Sequence, residues 1–145
     1  MIVIRRPETR DDYRAYYTLR YRVLREPWGQ ARGTEKDDYE PLSQHLMAVD
    51  DEGDEVVGVI KWMEKDSGVA CLSHLAIAPE HQKKGIGQLL VKGVEDAARE
   101  QGFVVIGVNS RLTSTDFFER LGYQIKGLPD HFFSTIQLVW MEKEL

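Results

Sequence analysis

Leu75-Ala76-Ile77-Ala78-Pro79-Glu80-His81-Gln82-Lys83-Lys84-Gly85-Ile86-Gly87-Gln88-Leu89-Leu90 is the stretch whose reading decides the fold. Its apolar opening ends a strand that starts near Val69, and Pro79 stops it. From Gly85 onward, Ile86, Leu89, Leu90, Val94, Ala97 and Ala98 recur on one face at the helical period, and Gly102 provides a stop. A strand, a glycine-bearing turn and a helix start together make an anion site. The first helical N–H groups lack partners, and the helix dipole adds partial positive charge. Gly85 and Gly87 keep side chains away from that backbone, and Lys83 and Lys84 add charge at its rim. The turn lacks the Gly-Lys-Ser/Thr of a Walker A loop and does not fit G-x-G-x-x-G. On its own it reads equally well as a tight connection with solvated lysines.

The rest of the chain builds outward from this centre. Ile2 to Arg5 reads as a strand closed by Pro7. Thr9 caps a helix carrying Asp11 and Asp12 in its first turn and running to about Arg25. The polar segment Gln30 to Pro41 reads as a loop. Strands follow at His45 to Val49 and Val56 to Met63, joined by an acidic turn, and then at Val69 to Ala78. Phe103 to Val108 is a continuous apolar run typical of a buried strand. A short helix capped by Thr113 or Ser114 ends near Leu121, and Tyr123 to Lys126 and Thr135 to Met141 close the chain as strands. The order is β-α-β-β-β-α-β-α-β-β, an α/β (α+β) arrangement in one domain over residues 1–145.

Composition narrows the function classes. The chain is 42% hydrophobic, enough for a core, and its 30% charged residues are of mixed sign, which argues against wholesale disorder. A net charge of −5 disfavours nucleic-acid binding, which needs a basic face. The single cysteine, Cys71, excludes an internal disulfide. Met1 to Arg6 is charged too early for a signal peptide, and no apolar run approaches the roughly 20 residues of a membrane span. A cytoplasmic protein is expected, with no membrane partner and no metal site; a homodimer is a reasonable expectation.

The motifs, taken together, resemble the GNAT superfamily of N-acetyltransferases. Gln82-Lys83-Lys84-Gly85-Ile86-Gly87 after Leu75-Ala76-Ile77-Ala78-Pro79 is similar to its central Q/R-x-x-G-x-G/A motif following L-A-V-x-P. Asn109-Ser110-Arg111 and Phe117-Phe118-Glu119-Arg120-Leu121-Gly122-Tyr123 resemble its second signature. Leu19 to Glu26 stands where the family places its substrate-side helix. The resemblance covers essentially the whole chain. It implies a mixed, mostly antiparallel sheet flanked by helices, acetyl-coenzyme A as co-substrate, and a small-molecule or protein amine as acceptor. The amides of Lys83, Lys84, Gly85, Ile86 and Gly87, with Gln82, would meet the pyrophosphate. The backbone of Leu75, Ala76 and Ile77 would pair with the pantetheine arm, and an amide there would steady the oxyanion. Asn109 would contact the arm or cap a strand end, and Phe117 and Phe118 would pack beside the arm.

The proton-moving groups are less well marked. An acceptor of the lysine type, with pKa about 10.4, is almost wholly protonated near neutral pH, so something must take its proton. The tyrosine that commonly serves the family as acid falls at Phe118, which has no hydroxyl. Ser114, one turn earlier, reaches toward the thiolate or caps its helix; Tyr123 is expected in the core. Relatives carry Glu or His at the positions of Cys71 or Ser73, and this chain does not. Ser73 and His74 are the remaining candidates on the central strand, and His45 lies near the presumed acceptor cleft, each with a structural alternative. Cys71 reads as a small buried hydrophobe. Glu35-Lys36-Asp37-Asp38-Tyr39-Glu40 attracts a cationic acceptor or is a solvated loop, the latter favoured by how charge runs usually behave. Trp28 walls an acceptor pocket or plugs the core, and His131-Phe132-Phe133 poses the same choice. The alternative overall reading is a coenzyme A-binding module without catalysis.

Overall fold

The computed structural model describes residues 1–145 except Ser67, Leu128, Pro129 and 133–135, with backbone alone for 130–132 and 136–137. The elements run β1 (Ile2–Arg5), α1 (Arg10–Leu24), β2 (Gln44–Asp50), β3 (Glu55–Lys65), β4 (Val69–Ile77), α2 (Ile86–Glu100), β5 (Val105–Arg111), α3 (Thr115–Arg120), β6 (Gln124–Ile125), β7 (Asp130–Phe132) and β8 (Ile136–Glu144), with short 3-10 turns at Glu26–Trp28, Glu40–Leu42, Pro79–His81 and Leu112–Ser114. The expected order holds, with one addition: the closing segment carries the extra short strand β7. Proline and glycine punctuation hid that strand from a pattern of alternating side chains. No helix among the described residues is long and apolar enough to cross a membrane.

Contacts divide the chain into two compact units. The first, Met1–Met63 with His74–Val94, holds β1, α1, β2, most of β3, the end of β4 and the first turns of α2. Its strands follow the order β1-β2-β3-β4. β1 is antiparallel to β2 (Ile2 opposite Asp50), and β2 to β3 (His45 opposite Lys61). Helix α1 starts in a capping box. Thr9 Oγ1 accepts the Asp12 N–H at 3.0 Å, and the Asp12 carboxylate accepts the Thr9 N–H at 3.2 Å. The hydrogen bond from Arg5 to the same carboxylate holds Asp12 well below the usual carboxylate range. Tyr16 and Leu19, on the buried stripe of α1, pack with Met47, Val49, Val59, Ala76 and Ala78. Ile86, Leu90, Val91 and Val94 bury the apolar face of α2.

The second unit comprises Glu64–Ser73 and Glu95–Leu145. Here the order is β4-β5-β8-β6, with β7 also on β8. Val69–Leu72 pair in parallel with Val105–Val108, and β5 runs antiparallel to β8 from Val105 opposite Glu144 to Arg111 opposite Leu138. The buried Glu95 carboxylate accepts the Tyr123 hydroxyl at 2.8 Å and pairs with Lys143 at 3.1 Å. The Trp140 ring lies directly over Gly107, where any Cβ would overlap it. A glycine in a central strand thus marks a close approach rather than a flexible point.

Candidate functional site

The turn after β4 is built to present backbone donors. Gln82 leaves the 3-10 turn in extended conformation, and its side chain donates to the Ile77 carbonyl at 3.1 Å, tying the turn to the strand end. Lys83 then adopts φ +64° and Gly85 φ +81°, both left-handed. At Gly85 this conformation demands glycine, and a Cβ there would meet open space. A non-glycine residue such as Lys83 pays about 1 kcal/mol or more for it. The first helical hydrogen bond runs from the Leu89 N–H to the Gly85 carbonyl. The amides of Ile86, Gly87 and Gln88 therefore precede the helical ladder, at its positive end. Gln82, Lys83, Lys84 and Gly85 are exposed, while Ile86 is buried and anchors the helix. Successive amides around left-handed residues form a concave anion-binding arrangement.

Leu75, Ala76 and Ile77 lead directly into this turn in the same unit. His74, just before them, has φ +55° inside the strand. This interrupts the regular alternation of side chains along β4. Burial, with the charges of Arg20 and Lys61, lowers the His74 imidazole to about 4.

A buried polar network occupies the same unit and corrects the reading of Glu35–Glu40 as a solvated loop in part: Glu35 and Glu40 turn inward, while Lys36, Asp37, Asp38 and Tyr39 are exposed. Arg20 is fully buried; it reaches Glu40 Oε2 at 3.0 Å, the Glu35 carbonyl at 3.1 Å and the Tyr16 hydroxyl at 2.9 Å. Lys61, 2% exposed, donates to Asp37 Oδ1 at 2.7 Å and Glu40 Oε2 at 2.9 Å. Tyr17 donates to Glu40 Oε1 at 3.0 Å. His45 Nδ1 lies 2.8 Å from the Tyr16 hydroxyl, and its Nε2 lies 3.2 Å from the Glu40 carbonyl. Burial raises the proton affinity of Glu40, but the Lys61 and Asp37 N–H hydrogen bonds and Arg20 outweigh it and hold the group at about 2. Two signals in the sequence point to these cations. Arg20 stands four residues after Tyr16 on the apolar stripe of α1, and Lys61 is enclosed by Val59, Ile60 and Trp62.

The other expected positions fall as follows. Trp28 is 59% exposed, so it does not plug the core. Ser73, Asn109, Ser114, Phe117 and Phe118 belong to the second unit. Asn109 is exposed and lies within β5 opposite Trp140, rather than at the strand end. Ser114 occupies the N-cap of α3, yet its side chain makes no capping hydrogen bond. Phe118 is buried, its ring 5.0 Å from Phe117 and 5.5 Å from Tyr123. Of His131-Phe132-Phe133, the side chains lie outside the described residues. Glu55, Glu80 and His81 bring three ligand atoms within 4.8 Å of one another on the surface of the first unit. Arg22 Nη2, 2.9 Å from Glu80 Oε1, already supplies a cation there.

Comparison with known proteins places these features in context. The model of the acetyltransferase (GNAT) domain matches residues 32–145. The Bacillus subtilis (strain 168) protein named Uncharacterized N-acetyltransferase YjcF is 29% identical over 91 residues. That match covers 63% of each chain, so this chain spans less than two thirds of that relative's length. A Lactobacillus plantarum structure provisionally assigned as an N-acetyltransferase superposes with a TM-score of 0.89 at 21% identity, covering 99% of this chain and 98% of that one. An aminoglycoside 6'-N-acetyltransferase complexed with coenzyme A gives 0.78 at 20% identity, covering 98% and 96%. At these identities the two structures establish the shared fold.

Proposed function

Since the chain belongs to the acetyltransferase (GNAT) domain family, we propose that it transfers an acetyl group from acetyl-coenzyme A to an amine within a ternary complex. One observation carries the choice of co-substrate: left-handed Lys83 and Gly85 precede three amides that stand ahead of the α2 ladder. Several convergent donors at a helix start suit a pyrophosphate better than a single carboxylate. The coenzyme A bound to the aminoglycoside enzyme of the same fold supports that choice. In this reading Lys83–Gly87 take the pyrophosphate, and the backbone of Leu75–Ile77 lies along the pantetheine arm. A strand amide there polarises the thioester carbonyl. The amine nitrogen attacks that carbonyl carbon, an N–C bond forms and the C–S bond breaks. The nitrogen gives up a proton, and the thiolate gains one on leaving as coenzyme A. His74 is neutral but binds protons weakly, so the nitrogen arrives unprotonated or loses its proton to water.

A second reading is favoured by one specific observation. With phenylalanine at 118 and a weakly basic His74, the chain binds coenzyme A without turning it over. Calorimetry with acetyl-coenzyme A, followed by thiol release across a panel of amines, separates the cases. Binding with thiol release supports transfer, and binding without release on any amine supports the module. Absence of binding overturns both.

A further inference from the structure

The segment from Gln30 to Leu42, on the way from α1 to β2, is attached to the first unit without an apolar face. Ala31, Tyr39, Pro41 and Leu42 are all exposed, and Glu35 is its one buried residue. Hydrophobic burial therefore contributes little to holding it down. The attachments are polar. Near α1 they lie at the surface: Tyr21 donates to the Gln30 carbonyl and Arg25 to that of Thr34, while Arg32 and Lys36 sit over the rings of Tyr21 and Tyr17. Exposed contacts of this kind are weak. The buried attachments converge on Glu40. Its carboxylate takes Arg20 and Lys61 on Oε2 and the Tyr17 hydroxyl on Oε1, and His45 Nε2 lies 3.2 Å from its carbonyl. The same Oε2 accepts the Asp37 N–H at 3.1 Å, so the group that grips the body of the unit also folds the segment on itself.

An apolar face resists separation over its whole area, whereas a clamp on one carboxylate lets go when that carboxylate is lost. Breaking a buried ion pair in place strands a charge, but swinging the segment away hydrates Glu40, Arg20 and Lys61 together. Gly29, left-handed at φ +70° with nothing within 4 Å of a built Cβ, leaves room for a pivot at the α1 end. We propose that Gln30–Leu42 is a strap that opens as one unit while the strands beneath it stay folded, and that the Glu40 carboxylate is its latch. Opening uncovers the Arg20–Lys61 pair and gives solutes a route to the buried polar interior. The assignment stands apart from the transfer reading and needs no ligand.

Native-state hydrogen exchange in low urea reads the opening. The N–H groups of Thr34, Lys36, Asp37, Leu42 and Ser43 are all hydrogen-bonded to residues of the strap. In the unmodified protein they should share one protection level, on the order of a hundredfold below that of the β2–β3 amides and nearly independent of urea. Glu40→Gln keeps the side chain's shape and removes its charge. It weakens the closed form against both the open and the unfolded forms, so strap and β2–β3 protection should fall by the same factor, on the order of tenfold. Val49→Ala, in the core cluster beneath α1, should lower β2–β3 protection and leave that of the strap unchanged, because the open form keeps this core. Asp38→Asn, which removes a charge outside the latch, should change neither. Strap amides that track urea as steeply as the β2–β3 amides overturn the proposal, as does a loss of strap protection in Val49→Ala. Unchanged strap protection in Glu40→Gln removes Glu40 as the latch. Should Glu40→Gln fail to fold, the urea dependence and Val49→Ala decide the matter.

Discussion

Gly85 is constrained by its backbone alone: φ is left-handed at +81°, while a side chain would project into open space. Gly85→Ala should lower stability by about 1 kcal/mol, the strain of the left-handed region. Gly85→Glu adds a side chain and a negative charge to the donor array. It should abolish acetyl-coenzyme A binding in calorimetry while circular dichroism stays native; undiminished affinity would remove the pyrophosphate assignment. Gly107 is constrained differently, by the Trp140 ring stacked on it. Gly107→Ala should cost about 1–3 kcal/mol by overpacking, read as a lowered midpoint in urea. The glycine turn was legible in the sequence because glycine spacing and helix period coincide there. The constraint at Gly107 was not, because its cause is a side chain about thirty residues away that only the β5–β8 register brings over it.

At the scale of elements, the start of α1 is legible because a capping threonine followed by Asp11 and Asp12 is a local signal. Thr9→Ala should destabilise the protein by about 1 kcal/mol, measured by thermal unfolding, since it removes the acceptor for the Asp12 N–H. In the segment between α1 and β2, the inward turn of Glu35 and Glu40 is not legible, for the opposite reason. A run of charges normally faces water, and nothing within the run shows that Arg20 and Lys61 wait beneath it. Charged residues on an apolar stripe were the available clue, and pairing is what makes their burial tolerable. The strand β7 escaped notice because it is only three residues long.

Across the whole molecule, pH dependence falls in two windows set by groups of the first unit: a histidine window led by His74 and shared by His45, and a carboxylate window shared by Glu40 and Asp12. His74 binds its proton near 4 when folded, below its ordinary value of 6.5, so the unfolded chain takes up protons first. Its contribution to stability is full above pH 6.5 and is lost as pH falls toward 4, by up to about 3 kcal/mol. Glu40, held at about 2 against an ordinary 4.5, adds a second loss as pH falls from 4.5 toward 2. Urea midpoints should therefore decline in two stages on acidification. His74→Gln should shrink the stage between pH 6.5 and 4, leaving the share of His45, and leave the lower one. A single-stage decline in the unmodified protein would contradict both assignments. The order of elements along the chain and the flanking helices are legible because each strand carries its own apolar run. The electrostatic interior was not, because it exists only once α1, β2 and β3 are assembled.

Trp140 covers Gly107, and its surroundings also make it an optical probe. Lys65 Nζ stands 3.9 Å above its ring, and its indole N–H donates to Glu142 Oε2 at 2.7 Å. A cation over the ring and a carboxylate at the nitrogen perturb the indole excited state in ways that water does not reproduce. The other tryptophans differ from it: Trp62 is 1% exposed and Trp28 is 59% exposed. With Trp28 replaced by phenylalanine, the emission spectrum reports one indole from each unit. Loosening of the second unit can then be watched through Trp140 while Trp62 keeps its own signal.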